Sequence, residues 1–300
     1  MRAFGGLVAI LAFALLVSVL PMAGWAAEPV SIPRLAPESG PAALSGHLFR
    51  PEGPGSFPAI VALHGCNGLM TRDGHIAARE QDWAEYLAGL GYAVLLLDSF
   101  TARGVREICS QRHRAVNNHD RVADAEDALA WLGNQPGIDR SRIALLGWSH
   151  GGGTVLDAVP HQSSRRRAAS DIDFRAAIAF YPGCGNVLRR DDYRVRMPLL
   201  ILVGKADDWT PAPPCAELAD RLAGHGTGQD PAVRAILYPG AHHAFDMPNS
   251  PVHQRTGIAV RGGGDRATLG TDPAARADSR DQVTAWLAQH LSGRAHPLRQ

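Results

Sequence analysis

The chain has no excess of charge of either sign: 30 Lys and Arg face 29 Asp and Glu, a formal net charge of +1 over 300 residues. Nor are the basic residues gathered into one long block, so the electrostatic footprint of a nucleic-acid binder is missing. The densest basic run, Arg165-Arg166-Arg167 after Ser163-Ser164, reads as a solvated loop. Cysteine is scarce, with four in all and no Cys-x-x-Cys pair, which argues against zinc and leaves no metal expected. Internal repeats and low-complexity blocks are absent. The N-terminal apolar run, residues 7–20, falls short of the roughly 20 residues that a membrane span requires.

That run instead fits the core of a secretory signal peptide. Met1-Arg2 supplies a charged start, and Ala23-Gly24-Trp25-Ala26-Ala27 supplies a small-residue exit. Cleavage after Ala26 puts Gly24 and Ala26 at the small positions, whereas cleavage after Ala27 would put Trp25 at one of them. An uncleaved anchor is the alternative; with no cysteine near the exit, a lipid anchor is not expected. Export would turn Cys66, Cys109, Cys184 and Cys215 into disulfide candidates with three possible pairings, buried free thiols being the other reading. The expected organisation is a signal peptide over 1–26, an extended proline-rich lead-in over 27–43, one α/β domain over 44–293 and a tail over 294–300.

Within that domain apolar runs alternate with helical spacings. Residues 44–49, 59–63, 92–97, 142–146, 176–181, 199–203 and 233–238 read as strands. Residues 76–90, with Trp83, Leu87 and Leu90 at helical intervals, read as a helix closed by Gly91. Two further helices are expected over 121–132 and 277–291. Several of the strands are continuous apolar runs, which predicts a mostly parallel central sheet with helices on both faces. Residues 248–271 are glycine-rich and polar without periodicity, and read as either a surface loop or a cover over a site.

In such a sheet ligands bind beyond the carboxyl ends of the strands. The residues following the apolar runs are therefore informative: His64-Gly65-Cys66, Asp98-Ser99-Phe100, Ser149, Tyr181-Pro182-Gly183-Cys184, Asp207-Asp208-Trp209 and His242-His243. Ser149 sits in Gly147-Trp148-Ser149-His150-Gly151-Gly152, between a strand and a helix beginning near Gly153. A serine at that turn needs small neighbours, because the backbone is strained and crowded there. Serine, aspartate and histidine follow one another in the chain order expected of an α/β-hydrolase.

At this point the chain resembles the dienelactone hydrolase family. The resemblance is carried by Leu63-His64-Gly65-Cys66-Asn67-Gly68-Leu69, by the Ser149 motif, by Gly204-Lys205-Ala206-Asp207-Asp208-Trp209-Thr210-Pro211, and by Ala241-His242-His243-Ala244-Phe245. It implies an α/β-hydrolase fold and a triad of Ser149, Asp207 and His243, with Asp208 and His242 as rivals. The backbone amides of Cys66 and His150 are the implied oxyanion donors. With the usual strand order, Cys66–Cys109 and Cys184–Cys215 are the implied disulfides. Two positions depart from the founding members: they carry a cysteine where this chain has Ser149, and a glutamate where it has Gly65. Both departures point to serine esterase or lactonase chemistry.

The expected activity is hydrolysis of small carboxylic esters or lactones through an acyl-enzyme, with no cofactor, no nucleic-acid partner and no membrane span once the signal is removed. Acyl transfer or peptide cleavage on the same triad, and a silent binding protein on the same fold, are the alternatives. Phe100, Trp148, Trp209 and Phe245 are candidate pocket walls. Arg103 and Arg106 are candidate holders of an acidic group or, alternatively, solvent-facing loop residues.

Overall fold

Every apolar run expected to form a strand pairs into one sheet. The computed structural model describes residues 27–35, 40–160, 172–224, 231–260 and 263–292. The expected signal peptide, the Arg165-Arg166-Arg167 run and the C-terminal tail lie outside these residues. Eight strands pair in the order β1-β2-β4-β3-β5-β6-β7-β8. They are β1 (Glu28–Pro33), β2 (Ala43–Phe49), β3 (Phe57–Leu63), β4 (Ala93–Asp98), β5 (Ile138–Trp148), β6 (Ala176–Phe180), β7 (Leu199–Gly204) and β8 (Val233–Tyr238). From β4 to β8 every neighbouring pair is parallel, while β1 and β2 add an antiparallel edge. The central strands β4, β6 and β7 are buried along their whole length, as continuous apolar runs covered on both faces must be.

The helices are α1 (Ala78–Gly89), α2 (Asn118–Leu132), α3 (His150–Ala158), the single turn α4 (Gly185–Leu188), α5 (Pro213–Gly224) and α6 (Pro273–Leu291). On one face α1 and α6 lie side by side, tied by Asp82 to Arg276 and Arg280 and by Tyr86 to Thr284. On the other face α2 packs against α3. Gly91 closes α1 in the left-handed conformation at φ 89°. Its N–H bonds Ala88 O, while Tyr92 N–H bonds Leu87 O, the paired bonds of a Schellman motif. Leu90, expected on the apolar stripe, is instead 44% exposed, because it caps the helix beyond its last full turn. A reciprocal capping box of Asn117 and Asp120 starts α2 three residues before the expected boundary.

Two segments depart from the sequence reading. The lead-in contains β1, paired residue by residue with β2; Pro29 and Pro33 are tolerated there because β1 is an edge strand. The glycine-rich stretch contains an antiparallel hairpin of β9 (His253–Thr256) and β10 (Arg266–Leu269). This hairpin is fastened to the loops beyond the carboxyl ends of the strands: Thr268 bonds Asp208, Gly270 N–H bonds His243 O, and Ala259 N–H bonds Cys109 O. Of its two readings, loop or cover, the contacts are those of a cover.

Candidate active site

The site begins with a crowded turn. Ser149 stands between β5 and α3 at φ 54°, a conformation that costs energy in a residue with a side chain. Its N–H donates to Phe180 O at 2.9 Å, and its carbonyl accepts from Gly153 N–H at 2.8 Å. Gly147 and Gly151 are required for space and do not have positive φ. A β-carbon on Gly147 would lie 2.4 Å from Gly151 O, and one on Gly151 would lie 2.2 Å from Leu63 O. The turn therefore exists only because α3 can press its first residues onto β3 and β5.

Register brings the ends of five strands to one edge, with Leu63 beside Gly147, Trp148 beside Phe180 and Gly204 beside Tyr238. Across that edge His243 Nε2 lies 3.0 Å from Ser149 Oγ, and His243 Nδ1 lies 2.8 Å from Asp207 Oδ2. The other Asp207 oxygen accepts from Trp209 N–H and Thr210 N–H. Burial pushes the Asp207 carboxyl up, but the His243 imidazole and the Thr210 hydrogen bonds outweigh it and hold the group below its ordinary range. Neither rival joins this line, although Asp208 lines the cleft. Asp208 accepts from the Thr268 amide and hydroxyl, and His242 Nδ1 lies 2.9 Å from Ala206 O.

Cys66 and His150 both line the cleft beside Ser149. No acceptor among the described residues takes either backbone amide, so both remain free to donate into the cleft. Cys66 is disulfide-bonded to Cys109, and Cys184 to Cys215. The first bond ties the loop after β3 to the segment after β4; the second ties the start of α4 to α5.

The cleft encloses about 910 Å³. Of the four aromatic residues expected to wall it, Trp209 alone does so. Phe100 is buried against His64 and under Arg121, on the far side of the β3 loop. Trp148 points into the core, where its Nε1–H donates to Asp246. Phe245 packs against Phe180, Tyr181 and Tyr238. All three lie at or beyond strand ends, but side chains there alternate between the cleft and the core, and sequence position does not say which. Arg103 is also not a substrate group: it forms a two-pronged ion pair with Asp124. Arg106 is exposed beside a separate small depression that Phe100 also lines.

The sequence profile of the dienelactone hydrolase family matches residues 44–291. The chain belongs to that family. Among curated proteins, acyl-coenzyme A thioesterase 6 of Mus musculus is 27% identical over 279 residues, covering 80% of this chain and 60% of its own length. Acyl-coenzyme A amino acid N-acyltransferase 1 of Mus musculus is 26% identical over 291 residues, covering 83% of this chain and 63% of its own. The chain thus spans about three-fifths of these relatives. A solved structure of a thermophilic esterase from Thermogutta terrifontis superposes with a TM-score of 0.61 at 19% identity, covering 92% of this chain and 96% of that one. The last comparison shows the α/β-hydrolase fold.

This dienelactone hydrolase family member has a second buried layer beneath the triad that sequence reasoning did not find. The Tyr181 ring lies 4.5 Å from the His243 ring, centroid to centroid, with Trp209 at 4.9 Å. Tyr181 OH donates to Asp246 at 2.5 Å and accepts from Arg79 Nη1 at 3.1 Å. Asp246, fully buried, also accepts from the indoles of Trp83 and Trp148. Arg79 also pairs with Glu80, and a β-carbon on Gly65 would fall 3.3 Å from Arg79 Nη2 and 3.7 Å from Ser149 Cβ. A guanidinium thus lies close against Gly65. Tyr181 stood among the strand-end residues, but nothing in its spacing tied it to Arg79 or Asp246. They lie 102 and 65 positions away.

Proposed function

We propose that this protein is an exported serine hydrolase that cleaves carboxylic esters or lactones through an acyl-enzyme on Ser149. The observation that carries the reading is the continuous line from Ser149 Oγ through His243 to Asp207, at 3.0 and 2.8 Å. Serine at its ordinary pKa is a weak nucleophile, so His243 Nε2 takes its proton as Oγ attacks the carbonyl. Asp207 accepts from Nδ1–H, which fixes the tautomer and favours the imidazolium that forms. The amides of Cys66 and His150 receive the oxyanion. His243 then returns the proton to the leaving oxygen, and water repeats the sequence to release the acid. Export is supported by the signal-like N-terminus and by the two disulfides, which persist in an oxidising compartment.

Transfer of the acyl group to an acceptor other than water is the second reading, favoured by the resemblance to an N-acyltransferase. A fluorophosphonate probe tests the shared step. Ser149 is expected to be labelled in the folded, oxidised protein and the label to vanish in Ser149→Ala; an unlabelled Ser149 leaves a silent binding protein as the surviving reading. Release of free acid from a panel of esters, with and without added amines, then separates hydrolysis from transfer.

A further inference from the structure

His150 contributes more to the cleft than its backbone. It is the first residue of α3, directly after the nucleophile, and its ring Nδ1 lies 2.9 Å from Arg121 Nη1. A guanidinium can only donate, so Nδ1 must accept and the ring proton must sit on Nε2. Arg121 has no freedom to change this. It is fully buried, its Nη2 donates to His64 O at 2.7 Å, and the Phe100 ring lies under it at 5.3 Å. His150 Nε2 has no protein partner among the described residues, yet it is not among the buried atoms left unpaired; its open side is the cleft that His150 lines.

We propose that His150 determines specificity: its Nε2–H is a fixed hydrogen-bond donor aimed into the cleft, and it takes a second oxygen of the substrate close to the ester carbonyl. The inference rests on the ester-hydrolase reading of Ser149 and names the substrate class within it. Suitable substrates are small esters or lactones carrying a hydroxyl, alkoxy, oxo or carboxylate oxygen near the scissile bond. Burial, and after it the Arg121 charge with Arg114 and His64, holds the imidazole far below its ordinary range. The ring therefore stays neutral and serves as a donor without supplying a proton. The remainder of the lining is suited to a substrate of mixed polarity. Arg112, His113 and Asn117 come from the segment that leads into α2, whereas Leu156, Val187 and Val260 provide apolar surface.

The test compares ethyl butanoate with three oxygenated esters: ethyl 3-hydroxybutanoate, monoethyl succinate and 2-methoxyethyl butanoate. The readout is the ratio of kcat/KM for each to that for ethyl butanoate, in wild type, His150→Leu and His150→Gln. One productive hydrogen bond predicts a wild-type ratio of about tenfold for at least one oxygenated ester. That ratio is expected to collapse towards unity in His150→Leu and to be partly retained in His150→Gln, which keeps an N–H donor. A wild type without preference, or a ratio that survives in His150→Leu, overturns the proposal. Nitrogen NMR of the wild-type imidazoles gives a reading independent of any variant's folding: a proton on Nδ1 of His150 also overturns it. Fluorophosphonate labelling of Ser149 in the same samples keeps the two readings apart, since labelled enzyme with no preference refutes His150 alone.

Discussion

Asp207 and Asp208 are neighbours of identical chemistry, and only their contacts separate them. Asp207 is buried, touches His243 and receives two backbone amides; Asp208 holds Thr268 of the hairpin. Asp207→Asn, which leaves the wrong histidine tautomer, is expected to lower kcat by roughly 10³–10⁴-fold. Asp208→Asn is expected to cost far less, and steady-state kinetics on one activated ester compares them directly. Because the Asp207 carboxyl is held below its ordinary value, its contribution to stability is present above about pH 3.9 and is lost only as pH falls through the lowered value. At this scale the sequence was legible where a short motif fixed geometry, as at Ser149 and at Asp207 before Pro211. It was silent at Tyr181, Arg79 and Asp246, whose meeting depends on the closure of the whole sheet. Tyr181→Phe keeps the ring against His243 but leaves Arg79 and Asp246 without the hydroxyl between them. A loss of about 1–3 kcal/mol in urea unfolding is expected, the usual cost of stranding buried polar partners.

Elements were legible to the extent that their periodicity was strong. The buried strands came out within a few residues of their bounds because a continuous apolar run between breakers leaves few options. The hairpin of β9 and β10 did not, since His253-Gln254-Arg255-Thr256 shows no apolar alternation and is held by contacts to the catalytic edge. Glycines in this fold separate two kinds of element constraint. Gly89 ends α1, and a β-carbon added there would meet nothing within 4 Å, whereas a β-carbon on Gly151 would meet Leu63 O at 2.2 Å and His64 O at 2.7 Å. Gly89→Ala is expected to raise stability by about 0.4–1 kcal/mol, by restricting the unfolded chain. Gly151→Ala is expected to destabilise by at least about 1–3 kcal/mol, because backbone must move and no rotamer relieves the overlap. Thermal melts of both variants, with Ser149 labelling of Gly151→Ala, check the contrast; equal melts would mean that α3 does not need its close approach to β3.

At the scale of the whole molecule, the parallel sheet gathers the strand ends at one edge and buries ionisable groups beneath it. Two of these are neutral histidines packed against a fixed cation. His64 donates from Nδ1 to Gly65 O at 2.7 Å and accepts at Nε2 from Ser99 N–H, so it has no place for a second proton. Burial first, then the Arg121 charge, with Arg79 adding to it and Asp98 opposing, pulls its pKa down to about 3. His150 is held down by the same burial and the same Arg121. In the unfolded chain both rings take up a proton as pH falls below about 6.5, while in the fold His64 stays unprotonated until about 3. Between those values the unfolded state carries more protons, so acid removes stability that is fully present above the unfolded pKa. The expected slope is about 1.4 kcal/mol per pH unit for each such histidine. Urea unfolding of the oxidised protein at about pH 7 and about pH 5 measures it, and His64→Gln, which lacks one of the two groups, is expected to lose less stability over that interval. Equal losses in the two proteins would show that His64 gains its proton in the native state, and that the cation beneath the active site does not exclude it.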